Sequence, residues 1–314
     1  MIIRSLLLLL PLSLWAIILT SSALNVREKT SSLLGFLWVF FAVLLVNIAA
    51  VQAAWWQHSL NDNLFYGVPI DWVFSQAIIC GAIIPLLRMY CLHILLRFTV
   101  QIVIMIVIHC YYIERITIDF FIVAIALTFI FPSVFLADAT ARGVYVYPRS
   151  FFQAVIWSVV IFWFFPSIIF SWSAESWQPL LDRSVIEAGI YFLPLCFPGY
   201  LIINALHHFA VDGNGTAFPY DPPEYLVTNG VYRYISNPMQ LGICLAVAWW
   251  AVIIHSAWVG LSAFIALILF IVFKDVCNGS CTLGVNSKCW DDYHRKIGKW
   301  WPRQWRLKNN SRID

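Results

Sequence analysis

Residues 215–242 read GTAFPYDPPEYLVTNGVYRYISNPMQLG and form the longest polar interruption in the C-terminal half of the chain. Prolines cannot donate backbone hydrogen bonds and favour extended conformations in the residues before them, so we expect a rigid loop over residues 218–224. Asn229 and Gly230 are typical of a turn, and Pro238 suits the first turn of a helix. The stretch thus predicts a loop, a turn and a helix start, with an apolar hairpin directly behind them.

The composition is that of a membrane protein. Of 314 residues, 61% are hydrophobic and 11% are charged, whereas soluble proteins average about half apolar and about a quarter charged residues. A helix needs about 20 apolar residues to cross a bilayer core of about 30 Å. We therefore predict an all-α fold, a polytopic transmembrane helical bundle of about nine spans with a tight C-terminal helical hairpin and an interfacial Trp-rich tail. The predicted spans are approximately 3–23, 32–54, 69–88, 91–110, 119–137, 151–172, 185–206, 238–255 and 257–273.

Lys and Arg residues set the predicted orientation. Nine of the 19 basic residues lie at or after Lys274. Since Lys and Arg are retained on the cytoplasmic side during insertion, we predict a multi-pass protein of a bacterial inner membrane or an ER-type membrane, with a cytoplasmic C-terminus. The net charge of +3 is then mostly an orientation effect, and no nucleic-acid-binding module is visible. The expected partner is the lipid bilayer, with no nucleic acid.

Residues 1–23 have two interpretations. A basic start, a leucine run and small residues at 21–23 fit a signal peptide. The apolar run is long for the hydrophobic part of such a peptide, so we favour a retained helix. Either interpretation leaves the C-terminal topology unchanged.

The string DPPEYLVTNGVYRYISNPMQLG, residues 221–242, resembles the signature of the membrane-embedded methyltransferases related to isoprenylcysteine carboxyl methyltransferase and phospholipid N-methyltransferase. Members of that family carry the pattern Gly-x-Tyr-x-x-x-Arg-(His/Asn)-Pro-Met-x-x-Gly. Ser236 stands where the family has Arg, and Gln240 stands where Tyr is commoner. The pattern is kept at Gly230, Tyr232, Asn237, Pro238, Met239 and Gly242.

The string CWDDYHRKIGKWWPRQW, residues 289–305, resembles the closing motif of the same family. His294 replaces the basic residue that follows Tyr in relatives. Without the family, the segment reads as a basic, Trp-rich amphipathic stretch at the membrane interface. The motif positions are filled by Trp290, Tyr293, Arg295, Ile297, Trp300 and Pro302.

The resemblance implies transfer of a methyl group from S-adenosylmethionine to a membrane lipid or another apolar acceptor at the cytoplasmic face. Its implied catalytic candidates are His207, His208 and Arg233, and either histidine would orient the adenosine or remove a proton from an amine or thiol acceptor. On this basis residues 185–314 form a methyltransferase-like membrane domain, and residues 1–184 form N-terminal transmembrane helices of unknown role. The implied cofactor-binding residues are Tyr232, Asn237, Pro238, Gln240, Tyr293, Arg295 and Trp301.

The sequence departs from the family between the predicted hairpin and the tail. Relatives usually carry a His-Glu or Glu-Glu pair just after the last span, but here the Glu position falls near Asn278, and no acid lies between Asp275 and Asp291. Asp275 can substitute only if the loop shifts. Two alternatives therefore stay open: a degenerate, non-catalytic membrane member that acts as an interaction protein, and a nicotinamide-dependent membrane reductase of similar architecture.

Polar residues inside the predicted spans are further candidates. Ionisable groups at membrane depth are costly and tend to face a bundle interior, which makes Arg97, Gln101, His109 and Asp138 site candidates. For Arg97, a snorkelling position near the cytoplasmic face is the other interpretation.

Three cysteines cluster before the tail. Cys277, Cys281 and Cys289 have the spacing C-x3-C-x7-C. Structural zinc sites favour C-x2-C pairs, so we predict no metal, and we interpret the cluster as reduced thiols or a redox-sensitive loop.

Overall fold

In a computed structural model, most of the described chain is helical, and two compact units are formed by Met1–Ile156 and Trp157–Asp314. The functional division after residue 184 rests on motif content and stays a prediction. The structure describes residues 2–21, 24–58, 64–87, 93, 96–97, 99–104, 113–116, 132–217, 223–277, 293, 295–298 and 300–301.

The N-terminal unit is built around two closely packed helices. Helix α2 (Val26–Gln52) begins at a capping box, in which the Asn25 side chain accepts from the Glu28 backbone amide and the Glu28 side chain accepts from the Asn25 backbone amide. Gly35 of α2 and Gly81 of α3 (Ile70–Leu86) bring the two backbones together, because a Cβ on either glycine would collide with the carbonyl oxygen of the other. The helices are α1 (Ile2–Thr20), α2 (Val26–Gln52), α3 (Ile70–Leu86, with a π-helical stretch Ala77–Ile83) and α4 (residues 132–142).

Short strands also occur in this unit. Strand β1 (Trp56–His58) pairs antiparallel with β4 (Ile113–Ile116), and β2 (Leu64–Phe65) pairs antiparallel with β3 (Val68–Pro69). These strands were not predicted from the sequence, because they are too short to show an alternating hydrophobic pattern and depend on their pairing partners.

Helices of the C-terminal unit meet closely where α7 (Val185–Val211) and α8 (Pro238–Ile253) pack. A Cβ at Gly242 would press on the Ile202 side chain and the Pro198 carbonyl, so glycine permits the close packing. A 3-10 turn, Leu193–Leu195, interrupts α7 at Pro194, because proline has no backbone N–H for the helix. The helices are α5 (Val146–Trp172, which begins before the unit boundary), α6 (Gln178–Leu181), α7 (Val185–Val211), α8 (Pro238–Ile253) and α9 (Ala257–Cys277).

Residues 254–256 alone connect α8 to α9, and the two helices share a core. Glu175 holds this connection, because its carboxylate accepts from the Ser256 hydroxyl and, at 3.0 Å, from the Ala257 amide. The core around the connection is formed by Val247, Trp250, Ala251, Ile253, Ile254, Val259 and Ala263.

Three helices among the described residues are long and apolar enough to cross a membrane: α2, α5 and α7. Shorter apolar helices are Leu8–Thr20, Ile70–Leu86, Pro238–Ile253 and Ala257–Leu269. The protein is thus a mostly helical membrane protein. Most of the predicted spans 91–110 and 119–137 lies outside the described residues. The nine crossings, the hairpin through the bilayer and the cytoplasmic C-terminus stay predictions.

Candidate functional site

The last turns of α7 carry a polar row. Asn204, His208 and Asp212 are spaced four residues apart and therefore lie on one face of the helix. Nδ1 of His208 lies 2.7 Å from Oδ2 of Asp212. The Asn204 side chain accepts from the backbone amide of Val231 at 3.0 Å. The side-chain amide of Asn229 donates to Oδ2 of Asp212 at 3.0 Å. The row thus holds the turn that follows residue 228.

Gly230 allows this turn to lie directly against α7. Its φ of +58° is in the left-handed region, and a Cβ added there would collide with the His208 ring and the Asn204 side chain. Glycine is the residue that meets both conditions without strain. The turn continues as a 3-10 helix, Gly230–Arg233, in which the Arg233 guanidinium donates to Oδ1 of Asn229 at 3.3 Å.

Tyr232 joins α7 to the C-terminal tail. Its ring is 5% exposed and stacks on Phe209, with centroids 5.4 Å apart and an interplanar angle of 10°. Its carbonyl oxygen accepts the Tyr293 hydroxyl at 2.7 Å. Four residues on, the Ser236 amide donates to the Gly298 carbonyl at 3.0 Å. The tail segment 293–298 is therefore tied to the signature stretch at two points.

Burial keeps both tyrosines neutral. Desolvation raises the pKa of the Tyr232 phenol far above its ordinary value, and the neighbouring Tyr293 raises it further. Desolvation likewise raises the pKa of the Tyr293 phenol. Both rings therefore act as hydrogen-bonding and packing groups at neutral pH, and neither acts as a base.

The start of α8 provides a buried polar corner. Asn237 and Pro238 are buried, and Pro238 occupies the first turn of the helix as the sequence predicts. Ser236, in the position of the family Arg, is also buried, and its hydroxyl has no hydrogen-bond partner among the described residues. Gln240 lies half-buried in the first turn of the helix. This corner can offer hydrogen bonds to a bound polar group.

The structure places three predicted site residues at the surface. His207 is exposed, with its ring edge-on to that of His208 at 5.2 Å between centroids. Arg295 is exposed on the tail, and Trp301 is 80% exposed. Their proposed closure over a cofactor stays a prediction.

Several sequence predictions fall outside the described residues: the loop at 218–222, His109 and the Glu position near Asn278. The described residues contain no group of three or more His, Cys, Asp or Glu that could hold a metal ion. Also outside are Cys281, Cys289, Trp290, His294 and Pro302.

No sequence-based prediction included Asn204, Phe209 or the side-chain contacts of Asn229. The four-residue spacing from Asn204 through His208 to Asp212 is the signal that finds the polar row, since such residues share a helix face. No sequence signal identifies the stacking of Phe209 on Tyr232, because that contact joins two separate elements.

A second polar cluster lies within the N-terminal unit. Arg97 is 1% exposed and donates to Asp138 at 3.0 Å and to the Pro85 carbonyl at 3.2 Å. The other Asp138 oxygen pairs with Arg142 at 2.8 Å. One turn after Arg97, Gln101 donates to Ser133 at 3.0 Å. Arg97 is therefore buried inside the N-terminal unit, and its depth relative to the membrane face stays a prediction.

The long apolar helices indicate a membrane protein, and one part of the chain matches a known family. Residues 199–279 match the family model described as phospholipid methyltransferase. This segment contains the polar row, the signature turn, α8 and α9. The match confirms the family resemblance and assigns this part of the chain to a family of membrane methyltransferases. Comparison with curated proteins and with solved structures gave no significant match.

Proposed function

We propose that the protein transfers a methyl group from S-adenosylmethionine to a membrane lipid or another apolar acceptor at the cytoplasmic face. The observation that carries this proposal is the hydrogen bond from Tyr293 to the Tyr232 carbonyl. It joins the two segments that the family resemblance assigns to the cofactor. Together with the family match over residues 199–279, it supports one shared site.

The described residues fit a nucleoside bearing hydroxyl and carboxylate groups. The buried Ser236 hydroxyl, which has no partner among the described side chains and backbone groups, can bond to such a ligand. Asn237 and Pro238 provide a buried wall beside it, with Gln240 at the edge, and Tyr293 bounds the site on the tail side. Arg295 and Trp301 would close over the cofactor from the tail, which requires these exposed residues to move.

When bound, the cofactor supplies a methyl group on a positively charged sulfur. The protein's own contribution to such a transfer would be mainly to position the reactants and to exclude water. The buried tyrosines and the α8 start exclude water on the protein side. His207 and His208 are the candidates for orienting the adenosine or taking a proton, and Arg233 lies within the same hydrogen-bonded group through Asn229.

An apolar acceptor can approach from the bilayer along α7. The outward face of this helix carries the exposed apolar side chains of Phe197, Tyr200 and Ile203. These residues precede His207 by one to three turns, so a lipid lying against them reaches the polar row at the end of the same helix.

Titration of the purified protein with S-adenosylmethionine tests the site. We expect Asn237→Ala to weaken binding by about tenfold, since one hydrogen bond to a polar ligand is worth about 1.4 kcal/mol. Asn214→Gly is the matched control, because Asn214 bonds to Glu224 away from α8 and its φ of +50° suits glycine. Equal affinity of the two variants, or no binding by the unmodified protein, would count against the proposal.

A non-catalytic interaction protein is the second candidate. It is favoured by the missing Glu near Asn278 and by the cysteine cluster that begins at Cys277. Mass spectrometry of small molecules that co-purify with the protein separates the candidates. S-adenosylhomocysteine supports methyl transfer, a nicotinamide cofactor supports a reductase, and neither compound supports the interaction protein.

A further inference from the structure

We propose that Asp212 is a positioning residue that holds His208 ready to accept a proton from the methyl acceptor, and that Asn229 holds Asp212. This inference rests on the proposed methyl transfer and deepens it. It selects His208 over His207 and assigns roles to Asp212 and Asn229, which the family signature does not include.

The hydrogen bond between His208 and Asp212 determines which ring nitrogen carries the proton. Nδ1 of His208 lies 2.7 Å from Oδ2 of Asp212. An ionised carboxylate only accepts hydrogen bonds, so Nδ1 is the donor. In the neutral ring, Nε2 is then left with its lone pair and can accept a proton.

Asp212 is itself held from a second element. The Asn229 amide donates to the Asp212 oxygen that contacts His208, at 3.0 Å. Oδ1 of Asn229 in turn accepts from Arg233 at 3.3 Å, which fixes the orientation of the Asn229 amide. The side chains of His208 and Asp212 are only 20% and 26% exposed, so water competes little for their bond.

The Nε2 edge of His208 faces the signature turn. A Cβ at Gly230 would collide with Nε2 and Cδ2 of the ring, which shows that this edge lies directly against the Gly230 backbone. The proton-accepting nitrogen is therefore on the side of the segment that carries Tyr232 and Asn237. His207 is exposed and makes its ring contact with His208.

None of the other titratable groups named around His208 is placed to accept the acceptor's proton in its stead. Asp212 lies on the same helix, and Arg233 reaches the cluster only through Asn229. Tyr232 and Tyr293 are held neutral by burial.

The proposed methyl transfer applies to an acceptor that has an N–H, O–H or S–H bond. The acceptor's lone pair forms a bond to the methyl carbon while the carbon–sulfur bond breaks and its electron pair stays on sulfur. The proton of the acceptor passes to Nε2 of His208, which becomes the imidazolium paired with Asp212. A carboxylate acceptor has no proton to lose and would not need this pair, so the geometry points to a proton-bearing acceptor.

Asp212→Asn in the full-length protein tests the inference. The Asn229 amide still donates to this position, so the new side chain places its amide oxygen there and still accepts from Nδ1, but it no longer carries the negative charge that stabilises the imidazolium. We expect kcat to fall by about 100-fold or more, with the affinity for S-adenosylmethionine changed less than about twofold. Asp212→Glu should restore part of kcat. Glu224→Gln is the matched carboxylate-to-amide control, and it should leave kcat unchanged because Glu224 bonds to Asn214 outside the cluster.

Nitrogen-15 NMR of histidine-labelled protein gives a readout that does not depend on activity. Neutral His208 should carry its proton on Nδ1 in the unmodified protein and keep it there in Asp212→Asn, whereas Asp212→Leu, which offers no acceptor to Nδ1, should lose this preference. Protonated Nε2 in the unmodified protein, or an Asp212→Asn variant with unchanged kcat, would overturn the inference. Absence of S-adenosylmethionine binding would instead overturn the proposed function, while the tautomer still decides whether Asp212 positions His208.

Discussion

The hydroxyl of Tyr293 donates a 2.7 Å hydrogen bond to the backbone carbonyl of Tyr232, 61 residues earlier in the chain. Both side chains are buried, at 4% and 5% exposure. A buried carbonyl without a partner is costly, so this bond stabilises the docked tail and the signature turn together. The site therefore depends on tail docking, and changes at Tyr293 should affect residues that are distant in sequence.

Removing the Tyr293 hydroxyl should loosen the tail. Tyr293→Phe leaves the Tyr232 carbonyl buried without its partner, which costs about 1–3 kcal/mol. We expect trypsin to cleave after the neighbouring Arg295 and Lys296 at least about fivefold faster, since the open form becomes more populated. Tyr234→Phe is the control, because Tyr234 is largely exposed and should leave the cleavage rate unchanged. Equal cleavage rates in the two variants would mean that the bond does not hold the tail.

Tail docking should also weaken at alkaline pH. Burial raises the pKa of the Tyr232 and Tyr293 phenols above the ordinary value of about 10. As the pH rises, these phenols therefore lose their protons in the unfolded chain before they do so in the folded protein. The stability that the two neutral phenols provide is complete below about pH 10 and is lost as the pH rises toward their folded-state pKa values. Tyrosinate absorbance, followed together with tail cleavage, should show late ionisation that coincides with tail release. Ionisation of all tyrosines near pH 10 with the tail still docked would contradict this.

Gly230 should not tolerate a side chain. Gly230→Ala forces alanine to a φ of +58° and places a methyl group against His208 and Asn204. The backbone strain alone costs about 1–3 kcal/mol, and the collision displaces the His208 ring, so both thermal stability and methyl transfer should fall.

Gly199→Ala is the matched control for that variant. Gly199 lies inside α7, and no described atom outside the local helix backbone lies within 4 Å of an added Cβ. Alanine there should raise helix stability by about 0.5–1 kcal/mol. A Gly230→Ala protein that melts at the same temperature as Gly199→Ala would exclude the close approach of the turn to α7.

The ion cluster of the N-terminal unit should be essential for its stability. Asp138→Asn leaves the buried Arg97 guanidinium without its counter-charge, and we expect a loss of about 3–5 kcal/mol in the free energy of unfolding. Arg142→Gln removes the other partner of Asp138, but Arg142 is 57% exposed, so a loss below about 1 kcal/mol is expected. Thermal unfolding in detergent measures the stability of both variants. Similar melting temperatures for the two would contradict the expectation that the buried ion pair matters more than the exposed one.

Local sequence signals predicted the parts of the site that depend on local geometry. Pro238 begins α8, and the family match confirms the resemblance drawn from the signature. The short strands and the stacking of Phe209 on Tyr232 were not predicted, because they join residues from separate elements.

The sequence by itself determined the membrane class, the helical composition and the resemblance of residues 199–279 to the phospholipid methyltransferase family, because apolar run length and motif spacing are properties of adjacent residues. Only the tertiary structure decided that His208 pairs with Asp212, that Asn229 joins them, and that Tyr293 returns to Tyr232. It likewise placed Arg97 in the interior beside Asp138. Contacts between elements depend on helix packing and side-chain orientation, and spacing along the chain leaves both undetermined.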